Sequence, residues 1–525
     1  MIWVNREVNK IKKRRLFLEW VDDMKTPSGR IHVGALRGVV IHDLVYKVLI
    51  ENGIKAKYTY VFDDHDPMDA IPAYLDYSKW EKYAGMQLYQ IPSPDGKAKN
   101  YAQFYAQEFI EVFNSINCHP EIIWASQLYK NGKMNEVIKE ILDATSKIRE
   151  IYQRITKKAR PADWHPFNVV CEKCKKVGTT YVYKWDGQYV YYRCQPKMVA
   201  WATGCGFEGK ISPFNGNGKL PWKIEWAAKW KVIGVTIEGA GKDHMSAGGS
   251  HDIASTVCRE VLNYPVPYPV SYEWFTVGGR KMSSSKGVGS SAKEVAQILP
   301  PDIFRFFIVR TPIERHIDFN PYGEAILNIF DDYDRCLSAY FLKIENKIPP
   351  GKQGEVVLDF ARIIELSQVK PLPQKRVFLP RFRTIANLLK NKSDVYSFFN
   401  FKNLSKLEKE ILEERVKYAK VYLENYAQEK AIGQIDSNQQ QFSLNDNQKK
   451  FLKLLAEKLD KIKTDDRKII QQTVFNSIKE TEINPKDAFA AFYQILTSKS
   501  YGPKAADLIL EIGRINVVKK LKKML

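Results

Sequence analysis

The chain has 525 residues, of which 44% are hydrophobic and 12% aromatic, a composition typical of a globular protein with two to four domains. Its 81 basic and 60 acidic residues give a formal net charge of +21, which favours a polyanionic partner such as nucleic acid, although a generally lysine-rich composition would give the same balance. No apolar run approaches the roughly 20 residues of a membrane span, so the sequence predicts no membrane segment.

The N-terminus, "MIWVNREVNKIKKRRLFLEW", is basic and lacks the apolar core and small-residue cleavage site of a signal peptide. This pattern predicts a cytoplasmic protein with reduced cysteines.

The next elements read as strand, turn, helix and strand. "LFLEWVDD" is apolar and extended, "KTPSGRIHVG" is rich in turn residues, and "ALRGVVIHDLVYKVLIENG" has helical periodicity. "KAKYTYVFDDHDP" is then a second strand that stops at acidic residues. This order predicts a parallel crossover at the start of a nucleotide-binding α/β fold.

Later segments divide the chain further. Aromatic and Pro-rich stretches between about 68 and 230 indicate an insertion, after which "VIGVTIEGAGKDH" and "PVPYPVSYEWFTVGGRK" return to strand and loop patterns. Beyond "NKIPPGKQGE" the chain is rich in Lys, Glu and helical periodicity.

The turn "TPSGRIHVGALRG" lies where small residues let a phosphate approach a helix N-terminus. It has neither G-x-G-x-x-G nor P-loop spacing, so a dinucleotide or kinase reading has little support. His32 could donate a hydrogen bond to phosphate oxygens, although a lone histidine in a turn is more often structural.

The segment "GGRKMSSSKGVGSSAKE", residues 278–294, is a cationic loop rich in hydroxyl groups and glycine. Together, P-[ST]-G-x-x-H-x-G and the later KMSxS resemble the two signatures of class I aminoacyl-tRNA synthetases. The resemblance implies that His32 contacts ATP phosphates and that Lys281 and Lys286 clamp the leaving pyrophosphate. Ala35 replaces the second histidine of the first signature, and Ser284 replaces a lysine of the second, for which Lys286 is the expected substitute.

The whole chain resembles the class I lysyl-tRNA synthetases, through "FDDHDP", "WKIEWAAKW", "AGKDH", "KMSSSKG" and "NPKDAFAAFYQILTSKSYGPKAADLILEIGRINVVKKL". The resemblance implies ATP with Mg²⁺, L-lysine and tRNA(Lys) as reactants, with a monomer favoured. It implies these ATP-binding residues: Pro27, Ser28, Gly29, His32, Gly34, Gly241, Asp243, Lys281, Ser283, Ser284 and Ser285.

The same resemblance places Gly29, Trp222, His244 and Tyr272 at the amino acid. Glu225 is a separate physical hypothesis, because a buried ammonium needs a carboxylate partner as well as aromatic faces. For any single Trp or Tyr here, an ordinary core position is the competing interpretation.

Cys171 and Cys174 form a C-x-x-C pair, and Cys194 and Cys205 follow across a predicted hairpin. Four thiolates suit a structural zinc ribbon, although ten residues between the last two is a wide spacing and four free thiols are the alternative. "IPSPDGKAKNYAQFYAQE" has neither Cys nor His, so no second metal is expected there. Cys118, Cys258 and Cys336 are expected to be reduced.

The predicted architecture is an α/β Rossmann-type parallel-sheet catalytic domain with an inserted zinc-ribbon domain, followed by an all-α anticodon-binding domain. The expected boundaries are 1–70 and 226–290 for the catalytic halves, 71–225 for the insertion with its ribbon at 165–210, 291–345 for a stem-contact region and 346–525 for the helical domain. Rival functions are a glutamyl or cysteinyl enzyme of the same class, or an inactive tRNA-binding paralogue.

Overall fold

A computed structural model describes residues 2–278, 291–427, 444–462, 464, 466–497 and 505–524. The chain divides into two compact units, Met1–Leu423 and Glu424–Leu525. No helix within the described ranges is both long and apolar enough to cross a membrane.

The first unit begins with a helix that the sequence analysis did not predict, followed by the predicted strand, turn, helix and strand. The β1 segment "EWVDDMK" is mostly buried, and the helix after it ends where Gly53 adopts a positive φ of 73°. The elements up to the first edge of the sheet are α1 (Trp3–Lys12), β1 (Glu19–Lys25), α2 (Val33–Glu51), β2 (Ala56–Phe62), α3 (Tyr77–Trp80), two 3₁₀ turns (Glu81–Tyr83 and Leu88–Gln90), α4 (Tyr101–Ser115) and β3 (Glu121–Trp124).

The middle of the unit combines three helices with a small antiparallel ribbon. Its elements are α5 (Ala125–Lys130), α6 (Asn135–Asp143), α7 (Thr145–Thr156), β4 (Asn168–Val169), β5 (Thr180–Trp185), β6 (Val190–Cys194), β7 (Glu208–Ile211) and β8 (Gly218–Lys219). Strands β5, β6 and β7 form one sheet and β4 pairs with β8.

The chain then returns to the main sheet through α8 (Trp222–Ile233), β9 (Ile237–Gly241), α9 (Lys242–Met245), α10 (Ser250–Glu260), β10 (Tyr268–Tyr272) and β11 (Phe275–Val277). The main sheet has the order β10-β9-β1-β2-β3 with parallel neighbours throughout. The predicted Rossmann-type α/β fold is confirmed. One continuous apolar core joins helices α5 to α8, helix α10 and the ribbon, so the ribbon packs on the helices around it rather than standing apart.

The sheet differs from the expected boundaries at one edge. Strand β3 lies within 71–225, the range assigned to the insertion, yet it pairs with β2 in the main sheet. Its four residues, "EIIW", are only partly buried, so they carry neither the length nor the apolar alternation that marks a strand in sequence.

The remaining part of the first unit is mostly helical. Its elements are α11 (Ala292–Ala296), α12 (Pro301–Val309), β12 (Ile317–Phe319), α13 (Ala325–Ile344), α14 (Gly351–Leu366), α15 (Phe382–Lys390), α16 (Val395–Phe398), a 3₁₀ turn (Phe401–Asn403) and α17 (Lys406–Asn425).

Packing explains why this helical stretch belongs to the first unit, whereas the expected boundary lay at 346. The ring of Phe330 on α13 stacks on Phe382 of α15 with centroids 3.7 Å apart, and Arg415 of α17 pairs with Asp334 of α13. The second unit has its own apolar core and contains α18 (Asp446–Lys461), α19 (Arg467–Glu480), α20 (Pro485–Thr497), α21 (Ala505–Ile512) and α22 (Arg514–Met524).

Candidate active site

A cavity of about 970 Å³ opens at the carboxyl ends of the main sheet's strands, beside the N-terminus of α2. In open parallel sheets this edge is the usual place for a ligand. The structure brings most of the predicted site residues together here, because Ser28, His32, Gly34, Trp222, Glu225, Gly241, Asp243, His244 and Tyr272 all line the cavity.

Some predicted residues lie elsewhere or cannot be placed. Pro27 and Gly29 are buried in the same turn as Ser28 but do not line the cavity. Lys281, Ser283, Ser284, Ser285 and Lys286 lie outside the described residues, so their roles stay predictions.

His32 stands at the N-terminal end of α2, where it is the cap residue. Its ring lies so close to Gly34 that a side-chain Cβ there would be 2.9 Å from Nδ1, which only glycine avoids. Burial, with a smaller effect of Lys25, lowers the pKa of His32 to about 3. The imidazole is therefore neutral near pH 7, next to the partial positive charge of a helix N-terminus.

An aromatic group covers the side of the cavity formed by α8 and α9. The rings of Trp222 and His244 meet edge to face with centroids 5.7 Å apart, and Trp226 lies 6.1 Å from the same histidine. Asp243 accepts a hydrogen bond from the indole N–H of Trp274, which fixes the carboxylate at the cavity wall.

The side chains of Tyr272 and Asp23 both lie close to the Cα of Gly38 in α2. A side-chain Cβ on Gly38 would be 2.7 Å from the Tyr272 hydroxyl and 2.9 Å from Oδ2 of Asp23. His42 donates from Nδ1 to the Gly38 carbonyl at 2.7 Å and accepts the Gly239 N–H at Nε2, also at 2.7 Å, and its Nδ1 lies 3.5 Å from Oδ2 of Asp23. No lysine or arginine among the described residues forms an ion pair with Asp23.

Glu225 is buried at the cavity wall, and its negative charge is already balanced by lysines of the protein. Its carboxylate lies 2.9 Å from Nζ of Lys219 and 3.5 Å from Nζ of Lys229, and it accepts the Tyr129 hydroxyl at 2.6 Å. Burial alone would raise the pKa of Glu225, but the two lysines outweigh it and lower that pKa to about 2. Two lysine ammonium groups of the protein already pair with this carboxylate. The geometry therefore argues against the hypothesis that Glu225 receives a substrate ammonium.

Two more acidic residues complete this buried network. Lys229 donates to Asp63, and Lys219 donates to Asp66. Sequence reasoning missed these partners, although "FDDHDP" placed both carboxylates at the carboxyl end of a strand.

Glu238 of β9 also faces the cavity and was not predicted. The indole N–H groups of Trp226 and Trp230 both donate to its carboxyl group. Burial raises the pKa of Glu238 to about 8, since the two indole donors only partly offset the loss of water. This side chain is thus mostly protonated near neutral pH.

The four cysteines of the ribbon form one cluster whose sulfur atoms lie within 4.8 Å of one another. The Cys171–Cys205 and Cys174–Cys194 sulfur pairs are each 3.6 Å apart. A tetrahedral zinc ion with Zn–S bonds of about 2.3 Å would place its sulfurs about 3.8 Å apart, so the donor set fits this metal. Cys118, Cys258 and Cys336 are buried free thiols.

Hydrogen bonds to sulfur support the metal interpretation. The Cys205 N–H donates to Sγ of Cys194 at 3.3 Å, and the Thr179 hydroxyl lies 3.2 Å from the same sulfur. Burial would raise the pKa of the Cys205 thiol, but the Phe207 N–H and the neighbouring thiols lower it to about 7. Burial instead raises the pKa of the Cys171 thiol and raises that of Cys174 to about 12, so the support for zinc is the clustering of the four sulfurs and the hydrogen bonds to Cys194.

Family models match nearly the whole chain. Residues 1–370 match the model described as tRNA synthetases class I (K), and residues 401–525 match the model described as Anticodon binding domain.

Curated relatives are similar over their full length. The Lysine--tRNA ligase of Methanococcus maripaludis is 32% identical, covering 98% of this chain and all of its own. The Lysine--tRNA ligases of Picrophilus torridus and Methanocaldococcus jannaschii are each 33% identical, covering 95% and 94% of this chain and the same shares of their own. A solved glutamate tRNA ligase from Elizabethkingia meningosepticum, 11% identical, covers 96% of this chain and 98% of its own with a TM-score of 0.34.

Proposed function

The chain belongs to the tRNA synthetases class I (K), and on that basis we propose that it is a lysine–tRNA ligase that joins L-lysine to tRNA(Lys) at the expense of ATP. The observation that carries the proposal is the match to ligases of this name over at least 94% of the chain. The anticodon-binding match over 401–525 supports tRNA as the second partner.

The reaction has two steps. A carboxylate oxygen of lysine attacks the α-phosphorus of ATP, and the bond to pyrophosphate breaks to leave lysyl-adenylate. A ribose hydroxyl at the tRNA 3′ end then attacks the lysyl carbonyl carbon and releases AMP. The protein's main task is to orient the reactants and to offset negative charge that develops on phosphate oxygens. Mg²⁺ bound with ATP would neutralise part of the phosphate charge.

His32 acts in the first step as a neutral hydrogen-bond donor to phosphate, beside the N-terminus of α2. Lys281 and Lys286 hold the leaving pyrophosphate. Ser28, Gly34, Gly241 and Asp243 border the nucleotide, and Pro27, Gly29, Ser283, Ser284 and Ser285 also contribute to its binding.

The lysine side chain lies among Trp222, His244 and Tyr272, and its ammonium pairs with Asp23. Asp23 suits this role because it lines the cavity, is buried and has the Tyr272 hydroxyl above it. An incoming ammonium would provide the positive charge that a buried carboxylate needs.

The cavity argues against the rival specificities. A glutamyl enzyme would be expected to place an arginine against its substrate carboxylate, and a cysteinyl enzyme a zinc ion at its substrate thiol. Among the described residues that line the cavity there is neither arginine nor cysteine. The four ribbon thiolates would hold zinc in a structural role.

The test is ATP–pyrophosphate exchange with each of the twenty amino acids in the presence of tRNA, followed by charging of tRNA with the amino acid that supports exchange. Exchange with lysine alone is the expected result. Exchange with a different amino acid would reject the lysyl assignment, and tRNA binding without any exchange would support an inactive paralogue.

A further inference from the structure

The loop between Cys194 and Cys205 forms one wall of the catalytic cavity. Met198, Val199 and Trp201 of this loop line the cavity that His32 and Asp23 also line. The wide spacing of the second cysteine pair therefore has a structural consequence, because it creates a loop long enough to reach the site.

Both ends of this loop are fixed next to the thiolate cluster. The Gln195 N–H donates to the Thr179 carbonyl at 2.8 Å, and the Gly206 N–H donates to the Cys194 carbonyl at 2.8 Å. A side-chain Cβ on Gly204 would be 2.4 Å from the Gln195 carbonyl oxygen, so the two ends touch through their backbones. The loop's position thus depends on the position of Cys194 and Cys205.

The side chain of Trp201 packs next to the other cysteine pair of the cluster. A side-chain Cβ on Gly178 would be 2.2 Å from Cη2 of Trp201, so the indole packs directly on the Gly178 backbone. Gly178 follows the C-x-x-C turn, in which the Cys171 N–H donates to the Lys176 carbonyl at 2.9 Å. The indole therefore packs on the segment that follows one cysteine pair, while its backbone belongs to the loop between the two cysteines of the other pair.

Backbone hydrogen bonds connect this turn to the main sheet. The Val177 N–H donates to the Gly85 carbonyl at 2.7 Å, and the Gly85 N–H donates to the Met68 carbonyl at 2.9 Å. Met68 comes shortly after β2, whose end carries the cavity carboxylates Asp63 and Asp66. A metal at the cluster would accordingly fix Trp201 relative to the reacting groups.

We propose that Trp201 binds the 3′-terminal base of the tRNA by stacking, and that zinc at the four thiolates holds Trp201 in place for this contact. The inference rests on the proposed function. Met198, Val199 and Trp201 offer an apolar, aromatic surface to the cavity, which suits a base rather than a phosphate. His32 and Asp23 line the same cavity, where ATP and lysine are expected.

A fluorescent tRNA tests the stacking contact directly. The probe is tRNA(Lys) with 2-aminopurine in place of its terminal adenine, whose emission is quenched on stacking. We expect quenching with the wild-type protein, retained quenching with Trp201→Phe and its loss with Trp201→Ala. Tyr189→Ala, which removes a ribbon aromatic that does not line the cavity, is the matched control and should quench normally.

A second measurement gives the size of the effect. Removing the terminal adenosine should weaken tRNA binding to the wild-type protein roughly 5- to 150-fold, the range expected for one stacked base, and should matter little to Trp201→Ala. Equal dependence on the terminal adenosine in both proteins would overturn the assignment of Trp201.

The role of the metal is tested on the full chain before and after zinc removal under reducing conditions. We expect about one zinc per chain, increased tryptic cleavage after Lys197 on removal, and loss of 2-aminopurine quenching. Zinc-free protein as purified, or unchanged quenching and cleavage after removal, would overturn the role of the metal.

Binding of a non-hydrolysable lysyl-adenylate analogue separates this inference from the proposed function. Trp201→Ala should bind the analogue as the wild type does, which also shows that the variant is folded. If the wild type fails to bind it and to charge lysine, the proposed function is wrong. If only the variant fails to bind it, Trp201 serves the adenylate and the stacking assignment is wrong.

Discussion

The ammonium of Lys219 lies 2.9 Å from the carboxylate of Glu225, and both side chains are buried. Lys219 belongs to β8 and Glu225 to α8. Lys219 also donates to Asp66, which follows β2 of the main sheet. This one ammonium therefore connects β8, helix α8 and the carboxyl end of β2.

Glu225→Gln should strongly destabilise the protein. The change leaves Lys219 and Lys229 without the carboxylate they share, and uncompensated buried charge typically costs about 3–5 kcal/mol. Chemical denaturation followed by circular dichroism would measure the loss. Glu150→Gln is the control, because Glu150 is an exposed partner of Lys147 at 3.6 Å and should change the free energy of unfolding by less than about 1 kcal/mol. Equal effects of the two changes would contradict a structural role for the buried pair.

Glu238 should make stability depend on pH in the opposite sense to a salt-bridged carboxylate. Its pKa is raised from an ordinary 4.5 to about 8, so the unfolded chain loses this proton before the folded one does. Its contribution is complete below pH 4.5 and is lost as pH rises towards 8, by about 1.4 kcal/mol per pH unit.

The corresponding variant is Glu238→Gln, which cannot titrate. We expect wild type to be the more stable protein at pH 5 and its advantage in melting temperature to shrink steadily up to pH 8. Scanning calorimetry at each pH, with Glu150→Gln as the reference for an exposed carboxylate, measures the difference. A constant advantage across this range would show that Glu238 ionises normally.

His32→Ala should slow adenylation by about 100-fold or more, the usual cost of removing one preorganised hydrogen-bond donor. Because the pKa of His32 is lowered to about 3, its ring stays neutral from pH 5 to pH 8. The ratio of wild-type to variant exchange rates should therefore be constant over this range. A ratio that changes near pH 6.5 would mean that the charged ring is involved, and His119→Ala, an exposed histidine, should leave the rate unchanged.

The sequence predicted the parts of the fold whose signals are local. The β1 strand, the turn at His32 and helix α2 are contiguous, and their order alone implies a parallel crossover. The four cysteines were also found, because their spacing is itself the signal.

The buried ion pairs could not be predicted in the same way. Lys219 and its partner Asp66 are 153 positions apart, and Lys229 and Asp63 are 166 apart. Glu225 looked available because its sequence neighbours are aromatic. Lys229 follows it at the i,i+4 helical spacing that predicts an ion pair, a signal that the sequence interpretation did not use, whereas Lys219 approaches from β8 only in the folded chain. The reach of Trp201 into the cavity likewise depends on tertiary packing against Gly178.

Asp23→Asn should impair recognition of lysine while leaving the fold intact. Replacing the carboxylate that pairs with the substrate ammonium should raise the KM for lysine roughly 10- to 100-fold, the range for a hydrogen bond to a charged group. Norleucine lacks the side-chain ammonium, so the rate of exchange with norleucine should fall little in this variant. The preference for lysine over norleucine in exchange assays should therefore collapse. Glu273→Gln is the matched control, since Glu273 also lines the cavity but pairs with Lys242 at 2.7 Å. A preserved preference in Asp23→Asn, or an equal loss in Glu273→Gln, would move the ammonium to another carboxylate.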